Sequence, residues 1–344
     1  MKIFSILFFI LLFIGNIALA QQTQPIQESE KGSVSDASNR TDKGVKQVSG
    51  TVRVRVIFDS NGNVTGVVPV SELPYGLTEQ AVKAAKQIKF DLLGKNGLSP
   101  VEYTFSFNVA KVDEKSEAIV QKAVQKLGGE RYLSVKTITA RGNLTSLKEG
   151  ESGVPSPFVD YIIYPDKERT EFKTEGGKTI QANFNNGGWI ADGAARTIKD
   201  QTPEQLADFK NSLRTGLDNF LRGGWRQEKD AKLEYVGRRE AGLGRRNEVI
   251  RLTYADGLAV EFEFAATDGT PAKVIYKRQN TGEEIKEEDR FAQFVETGGV
   301  FAPYIIDHYR NGKQTSRVNY ESIEFNSPVP DALFVKPKDV KKLK

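Results

Sequence analysis

From residue 52 the chain alternates apolar and polar positions. Val52, Val54, Val56 and Phe58 fall on one side, Arg53 and Arg55 on the other, and after Asp59-Ser60-Asn61-Gly62 a second alternating run reaches Val68. A period of two predicts strands with one buried face, and Asn-Gly supplies the backbone that a tight hairpin turn requires. From Leu77 the period lengthens. Leu77, Ala81, Ala84, Ala85 and Ile88 then form a helical stripe, with Thr78 placed to cap the helix. Alternation returns through Val101, Tyr103, Phe105, Phe107 and Val109, a third strand that closes a β-β-α-β unit at about Ala110.

A longer unit follows. Ser116 to Leu127 reads as an amphipathic helix with Val120, Ala123, Val124 and Leu127 inward and Gly128-Gly129 as its stop. Strands then dominate, in TITARGNLTS, FVDYIIYPDKERTEF and KTIQANFNNGGWIAD. One helix is predicted from Pro203 to Leu221, opened by a Thr202/Gln205 capping box and striped by Leu206, Phe209, Leu213, Leu217 and Phe220. A second meander runs through NEVIRLTY, LAVEFEFA, AKVIYKRQ, YIIDHYR and SRVNYESIEF, with turns at Asp256-Gly257, Asp268-Gly269 and Asn311-Gly312. The fold class is α+β, a curved antiparallel sheet wrapped on a helix layer beside a smaller β-β-α-β domain.

Composition places these units. Lys2, the apolar run to Ala18-Leu19-Ala20 and the polar Gln21-Gln22 have the order of a cleaved signal peptide over 1–20. An uncleaved inner-membrane anchor is the alternative, since the run approaches the roughly 20 apolar residues that span a bilayer. Residues 21–48 contain too little apolar material to order and predict a flexible linker. The chain has no cysteine, which excludes disulfides, thiolate metal sites and a cysteine nucleophile. A net charge of +4 with both signs interspersed gives no footprint for nucleic acid. Arg238, Arg239, Arg245 and Arg246, and the lysines of the tail over 339–344 with Lys336 and Lys338 before it, allow weak contact with a membrane surface.

Residues 49–109 resemble the TonB carboxy-terminal domain family. The likeness rests on V-x-V-x-F-D-x-x-G-x-V, the Ala-rich helix ending in Lys89-Phe90, and Val101-x-Tyr103-x-Phe105-x-Phe107, with Asp91 where the family often has proline. Residues 115–338 are similar to the outer-membrane lipoprotein-sorting, LolA-like half-barrel family, through LGGERYLSVKTITARG, GGVFAPYIIDHYRNGK and NSPVPDALFVKP. The first resemblance implies an edge strand, marked by Tyr103, Phe105 and Phe107, that accepts an envelope protein by strand addition. The second implies a half-open barrel whose apolar cavity receives a lipid acyl chain or another apolar segment.

The residues themselves offer little chemistry. His308 is the single histidine, and alternation puts Asp307 on the opposite strand face, so Asp307 cannot orient it as a triad requires. Glu283, Glu284, Glu287, Glu288 and Asp289, with Lys286 and Arg290 among them, read as a solvated charged loop without calcium-site spacing. Gly242-Leu243-Gly244 is no dinucleotide fingerprint. Phe158, Ile162 and Tyr164 share one strand face and Val260, Phe262 and Phe264 another, and these six are the ligand-cavity candidates. The expectation is an exported periplasmic or envelope protein that binds and does not catalyse, with no cofactor and no metal. An envelope hydrolase and a ligand-free structural adaptor are the alternatives.

Overall fold

The structure is a computed structural model. It describes residues 45–47, 50–59, 61–72, 77–88, 101–107, 111–148, 150–174, 177–184, 187–280 and 283–339. The expected signal peptide, the expected linker as far as residue 44, Val109 and the tail from residue 340 lie outside the described residues.

The first elements are β1 (Val45–Gln47), β2 (Gly50–Phe58), β3 (Val64–Pro69), α1 (Leu77–Ala85), β4 (Val101–Phe107) and β5 (Lys111–Asp113). Next come α2 (Glu114–Leu127), α3 (Glu130–Leu133), β6 (Thr137–Lys148), β7 (Glu151–Ser152), β8 (Ser156–Ile163), β9 (Lys167–Thr174), β10 (Gly177–Phe184), β11 (Gly187–Asp192) and β12 (Thr197–Asp200). Then follow α4 (Pro203–Thr215), α5 (Leu217–Leu221), β13 (Lys232–Glu240), β14 (Arg246–Thr253), β15 (Ala259–Ala265), β16 (Pro271–Asn280), β17 (Glu283–Thr297), β18 (Val300–Arg310) and β19 (Lys313–Phe325).

The small unit follows the alternation from which it was read. Its strands lie in the order β3-β2-β4, and Val52, Val54, Val56 and Phe58 pack on Ala81 and Ala85 of α1. The Asp59 carboxylate accepts the N–H groups of Asn61 and Asn63, fixing the turn, and Gly62 takes a φ of 78° there. Two helix details differ from the expected stripe. Ala84 is exposed, because the helix turns Ala81 and Ala85, flanked by the partly buried Val82, toward the sheet. Thr78 sits inside the first turn rather than before it, since the helix already begins at Leu77.

The rest of the chain is mostly sheet with few helices. Strands of the large sheet run β1-β5-β13-β14-β15-β16-β17-β18-β19-β6-β8-β9-β10-β11-β12, with β7 on β6. All neighbours are antiparallel except β5 and β13. Val45–Gln47, within the stretch expected as linker, therefore forms a strand on β5. Strands β12 and β13 follow each other in sequence but lie near opposite ends of this order, so the connection between them spans the sheet. That connection carries α4 and α5, and together with α2 it covers the sheet's apolar face. The shared core joins Ile119, Val120, Ala123, Val124 and Leu127 of α2, Leu217, Phe220 and Leu221 of α5, and the inward residues of β6, β8, β14, β15, β18 and β19.

Two expectations change. The predicted helix 203–221 is broken at Gly216, which adopts an extended ψ of 134°. Glycine carries little conformational preference for helix, and the break lets Leu217, Phe220 and Leu221 turn into the core. The capping box at Thr202 and Gln205 is present, with Pro203 opening the helix. The charged run from Glu283 is not a loop but the start of β17. Its charges meet partners on adjacent strands. Glu287 accepts from Arg278 and Arg310 at 2.8 and 3.2 Å, and Glu288 pairs with Arg290, Lys273 and Lys286.

Asp113 joins the helix layer to the sheet. Its carboxylate caps α2 at the Lys115 and Ser116 N–H groups and also accepts the Tyr235 N–H of β13 at 2.7 Å. We expect Asp113→Ala to lower the unfolding free energy by about 2 kcal/mol, combining a lost cap with an orphaned strand N–H. Urea denaturation measures it, and a loss below about 0.5 kcal/mol would show that this link is dispensable.

Candidate functional site

The helix layer does not cover the whole apolar face. Beside α5 a cleft of about 60 Å³ opens between the helices and the β17–β18 hairpin. Leu127 and Leu217 line it from the helices, and Ile138, Phe291, Phe294, Phe301, Ile306, Ile323 and Phe325 from the strands. Phe291, Phe294, Phe301 and Phe325 are only partly buried. Apolar side chains gathered around an opening mark a surface built to be covered. The hairpin tip closes against the turn after α2. A Cβ on Gly128 would lie 2.3 Å from the Gly299 carbonyl, so both the close approach and the φ of 123° require glycine there.

One end of the cleft is polar and rigid. Asp218 and Arg222, one helical turn apart on the α5 segment, form an ion pair at 2.8 Å, and the Tyr132 hydroxyl donates to the same carboxylate. The other Arg222 nitrogens donate to the Val135, Tyr132 and Leu133 carbonyls at 3.0, 3.1 and 3.3 Å. The guanidinium also lies 3.9 Å from the Tyr164 ring centroid. Burial alone would lower the Arg222 pKa, and Asp218, with Tyr164 and Tyr132 beside it, more than offsets that, so the group stays charged. Burial, then the Asp218 charge, holds the Tyr132 and Tyr164 phenols well above their ordinary range. Thus the cation is consumed in fastening α5 to the α3 turn.

Of the six expected cavity residues, the structure brings Tyr164 to the cleft. Phe158 and Ile162 pack in the core, Phe158 edge-on against Tyr320 at 5.6 Å. Val260, Phe262 and Phe264 are fully buried, and Phe262 stacks on Phe220 of α5 at 3.8 Å. In the small unit β4 places Tyr103, Phe105 and Phe107 opposite Val54, Val52 and Gly50 of β2. Among the described residues β4 has no strand on its other side, and the side chains of Tyr103, Phe105 and Phe107 lie outside the described residues.

Between Phe158 and Ile162 the same inward face carries Asp160, which alternation also places there. It accepts the Thr170 hydroxyl at 2.7 Å. Glu168, opposite Ile162 on β9, is likewise buried. Burial, reinforced by the Asp160 charge, raises the Glu168 pKa well above the usual carboxylate value. An inward carboxyl of this kind opposes stability once ionised.

His308 has an aspartate partner, though not Asp307. Its Nδ1 lies 2.6 Å from Asp289 Oδ1 on β17, and Ser316 stands directly opposite His308 on β19. Three residue types of a nucleophilic triad thus share one row across three strands. Neither His308 Nε2 nor Ser316 Oγ has a hydrogen-bond partner, so no bond joins them, and Ser316 is sealed from solvent. The missing Ser–His contact and entry path leave a buried His–Asp pair. Among the described residues no cluster of three or more His, Cys, Asp or Glu is placed to hold a metal ion. Arg238 and Arg239 of the basic hairpin pair with Glu248, Glu261 and Glu263, and Lys336 pairs with Asp200. Leu243 forms the exposed tip of that hairpin.

Known proteins resemble this chain in sequence over its first unit and in structure over about two thirds of its length. Residues 46–110 match the family model of the Gram-negative bacterial TonB protein C-terminal. Solved structures of the LolA superfamily are similar to about two thirds of the chain. One from Nitrosomonas europaea is 11% identical over 64% of this chain and 97% of its own, at a TM-score of 0.45. A putative outer membrane lipoprotein-sorting protein domain from Vibrio parahaemolyticus is 11% identical over 64% and 97%, at 0.44. A DUF1329 family protein from Desulfovibrio piger is 11% identical over 67% and 99%, at 0.47. No curated protein matches the chain by sequence.

Two outcomes test this electrostatic layout. Arg222→Met strands Asp218 in an apolar wall and should cost about 3 kcal/mol in urea denaturation. The double variant Arg222→Met/Asp218→Leu should recover most of that loss, and equal losses would contradict a buried pair. For Glu168 the folded pKa lies above the unfolded one, so its contribution is most favourable below the unfolded value near 4.5 and is lost as pH rises. Glu168→Gln should therefore exceed the parent in stability at pH 8, with the advantage shrinking toward pH 4; an advantage independent of pH excludes this account.

Proposed function

We propose that the large domain binds an apolar chain, such as the acyl chain of a lipid, in the cleft beside α5, and that the small domain docks an envelope protein by strand addition on β4. The protein acts in this reading as an exported envelope binding protein without catalysis. The observation that carries it is the cleft itself, lined chiefly by apolar side chains and bordered by four part-exposed phenylalanines.

Magnitudes favour this use. Each methylene withdrawn from water contributes about 0.8 kcal/mol, so sheltering even part of a chain gives useful affinity. The cleft of about 60 Å³ is smaller than the roughly 300–1,000 Å³ of a typical small-molecule pocket. A long chain must therefore displace the β17–β18 hairpin, whose tip turns through Gly298 and Gly299 at φ 62° and 83°. Its hold on the helix layer includes the Gly128–Gly299 approach, while the polar anchor at Asp218 and Arg222 stays in place. The hairpin is thus the part that moves.

For the small domain the supporting feature is the unpartnered side of β4 among the described residues, where main-chain groups can extend the ladder. Among the described residues no helix is long and apolar enough to cross a membrane, and the envelope assignment draws on the amino-terminal pattern and the TonB-type match.

Solvent extraction of the purified protein followed by mass spectrometry should return lipid at near-stoichiometric amounts. Ala302→Phe, which fills the cleft from β18, should reduce the recovered lipid at least about tenfold with little change in melting temperature. A protein that carries no lipid and takes up none from vesicles would refute the reading.

A further inference from the structure

Next to the cleft the inward sheet face becomes polar. Tyr320 of β19 stands opposite Gly142 of β6, and Gly142 opposite Phe158 of β8. With no side chain on Gly142 between them, the Tyr320 ring reaches Phe158 at 5.6 Å. Asp160 and Glu168 occupy the two following rows, Glu168 opposite Asn183 of β10. Gln201, at the end of β12, donates to the Asn183 side-chain oxygen at 2.7 Å. Glu168, Asn183, Gln201 and Tyr320 are each more than nine-tenths buried. Each nevertheless keeps a polar atom without a protein partner, namely Glu168 Oε1, Asn183 Nδ2, Gln201 Oε1 and Tyr320 Oη. Buried polar atoms are nearly always satisfied in folded proteins, so four on one face mark a place built for a polar group.

The charge of this wall is one-sided. The neighbouring inward positions of β8, β9 and β10 hold Phe158, Asp160, Ile162, Thr170 and Gln181 beside those already named, with no lysine or arginine. Arg169 points to the opposite face, where it meets Glu171, the Leu333 carbonyl and the Trp189 ring. Arg222 in the cleft has its donors committed to Asp218 and backbone carbonyls. An anionic group here would meet the Glu168 carboxyl, and among the described residues the inward positions of these strands offer no lysine or arginine to offset it. Tyr320 belongs both to this wall and to the cleft lining, so an apolar chain in the cleft would present its head group here.

We propose that this wall selects the head group of the cleft ligand, taking one that donates hydrogen bonds and carries no negative charge, such as an alcohol or a protonated amine. Glu168 Oε1 and Gln201 Oε1 accept from it, and Tyr320 offers a hydroxyl to an alcohol oxygen. The inference rests on the reading that the cleft receives an apolar chain.

Three ligands with the same chain separate the possibilities. 1-Decanol, decylamine and decanoate are titrated into the full protein at pH 8, with displacement of the neutral fluorophore N-phenyl-1-naphthylamine as the readout. Decanol and decylamine should bind at least about tenfold more tightly than decanoate, the equivalent of one good buried hydrogen bond. Glu168→Gln should narrow the gap between amine and carboxylate, and Tyr320→Phe should weaken decanol while leaving the melting temperature close to that of the parent. Equal affinities, or decanoate binding most tightly, would overturn the head-group assignment and leave chain binding intact. If none of the three displaces the fluorophore, chain binding falls as well. The ranking on the unaltered protein decides the matter should a variant fail to fold.

Discussion

The large domain depends on one topological constraint, the need for the chain between β12 and β13 to cross the sheet. Those strands stand near opposite ends of the strand order, so the connection must travel over a face, and an apolar face rewards covering. Fully burying a large apolar side chain contributes about 1.5–3 kcal/mol, and α5 contributes Leu217, Phe220 and Leu221 to the core. Phe220 lies between Trp225 and Phe262, stacked on both. Where the crossover passes, the sheet is sealed. Where it does not, beside the β17–β18 hairpin, the cleft remains.

This arrangement separates rigidity from access. The Asp218–Arg222 pair and its carbonyl acceptors fasten α5 to the α3 turn, and Asp113 fastens α2 to β13. The hairpin bearing Phe291, Phe294 and Phe301 meets the helices at its tip through the Gly128–Gly299 approach. In the proposed reading the helix side of the cleft stays fixed while the hairpin side yields, so that a chain enters without disturbing the core. The inward polar group around Glu168 and Tyr320 then gives that chain a direction, because only one end of an amphiphile suits it.

Much of this architecture can be read from periodicity. Val52, Val54, Val56 and Phe58, Ala81 and Ala85, and the α2 stripe are buried as their spacing requires. The reading weakens where partners come from elsewhere. Glu287 and Glu288 look solvated in sequence because the arginines and lysines that pair them sit on three different strands. Asp289 meets His308 only across the strand pair, so sequence position does not mark it as the partner. The break at Gly216 had a local signal, a glycine inside a helical stripe, whereas its direction depends on the core it enters. Asp160 is also legible, since alternation puts it between Phe158 and Ile162 on the inward face. The cleft itself was not, because Phe291, Phe294, Phe301 and Phe325 are brought together only by strand register.

The claim that the cleft accepts an apolar chain is tested most directly by locating one. A crystal structure of the protein with a terminally brominated long-chain alcohol, recorded at the bromine absorption edge, places the chain end without reference to affinity. The account predicts a bromine peak among Leu217, Phe291, Phe294 and Phe301, with the hairpin displaced from the helix layer. Bromine confined to the outer surface at saturating ligand, with the cleft closed, would contradict it.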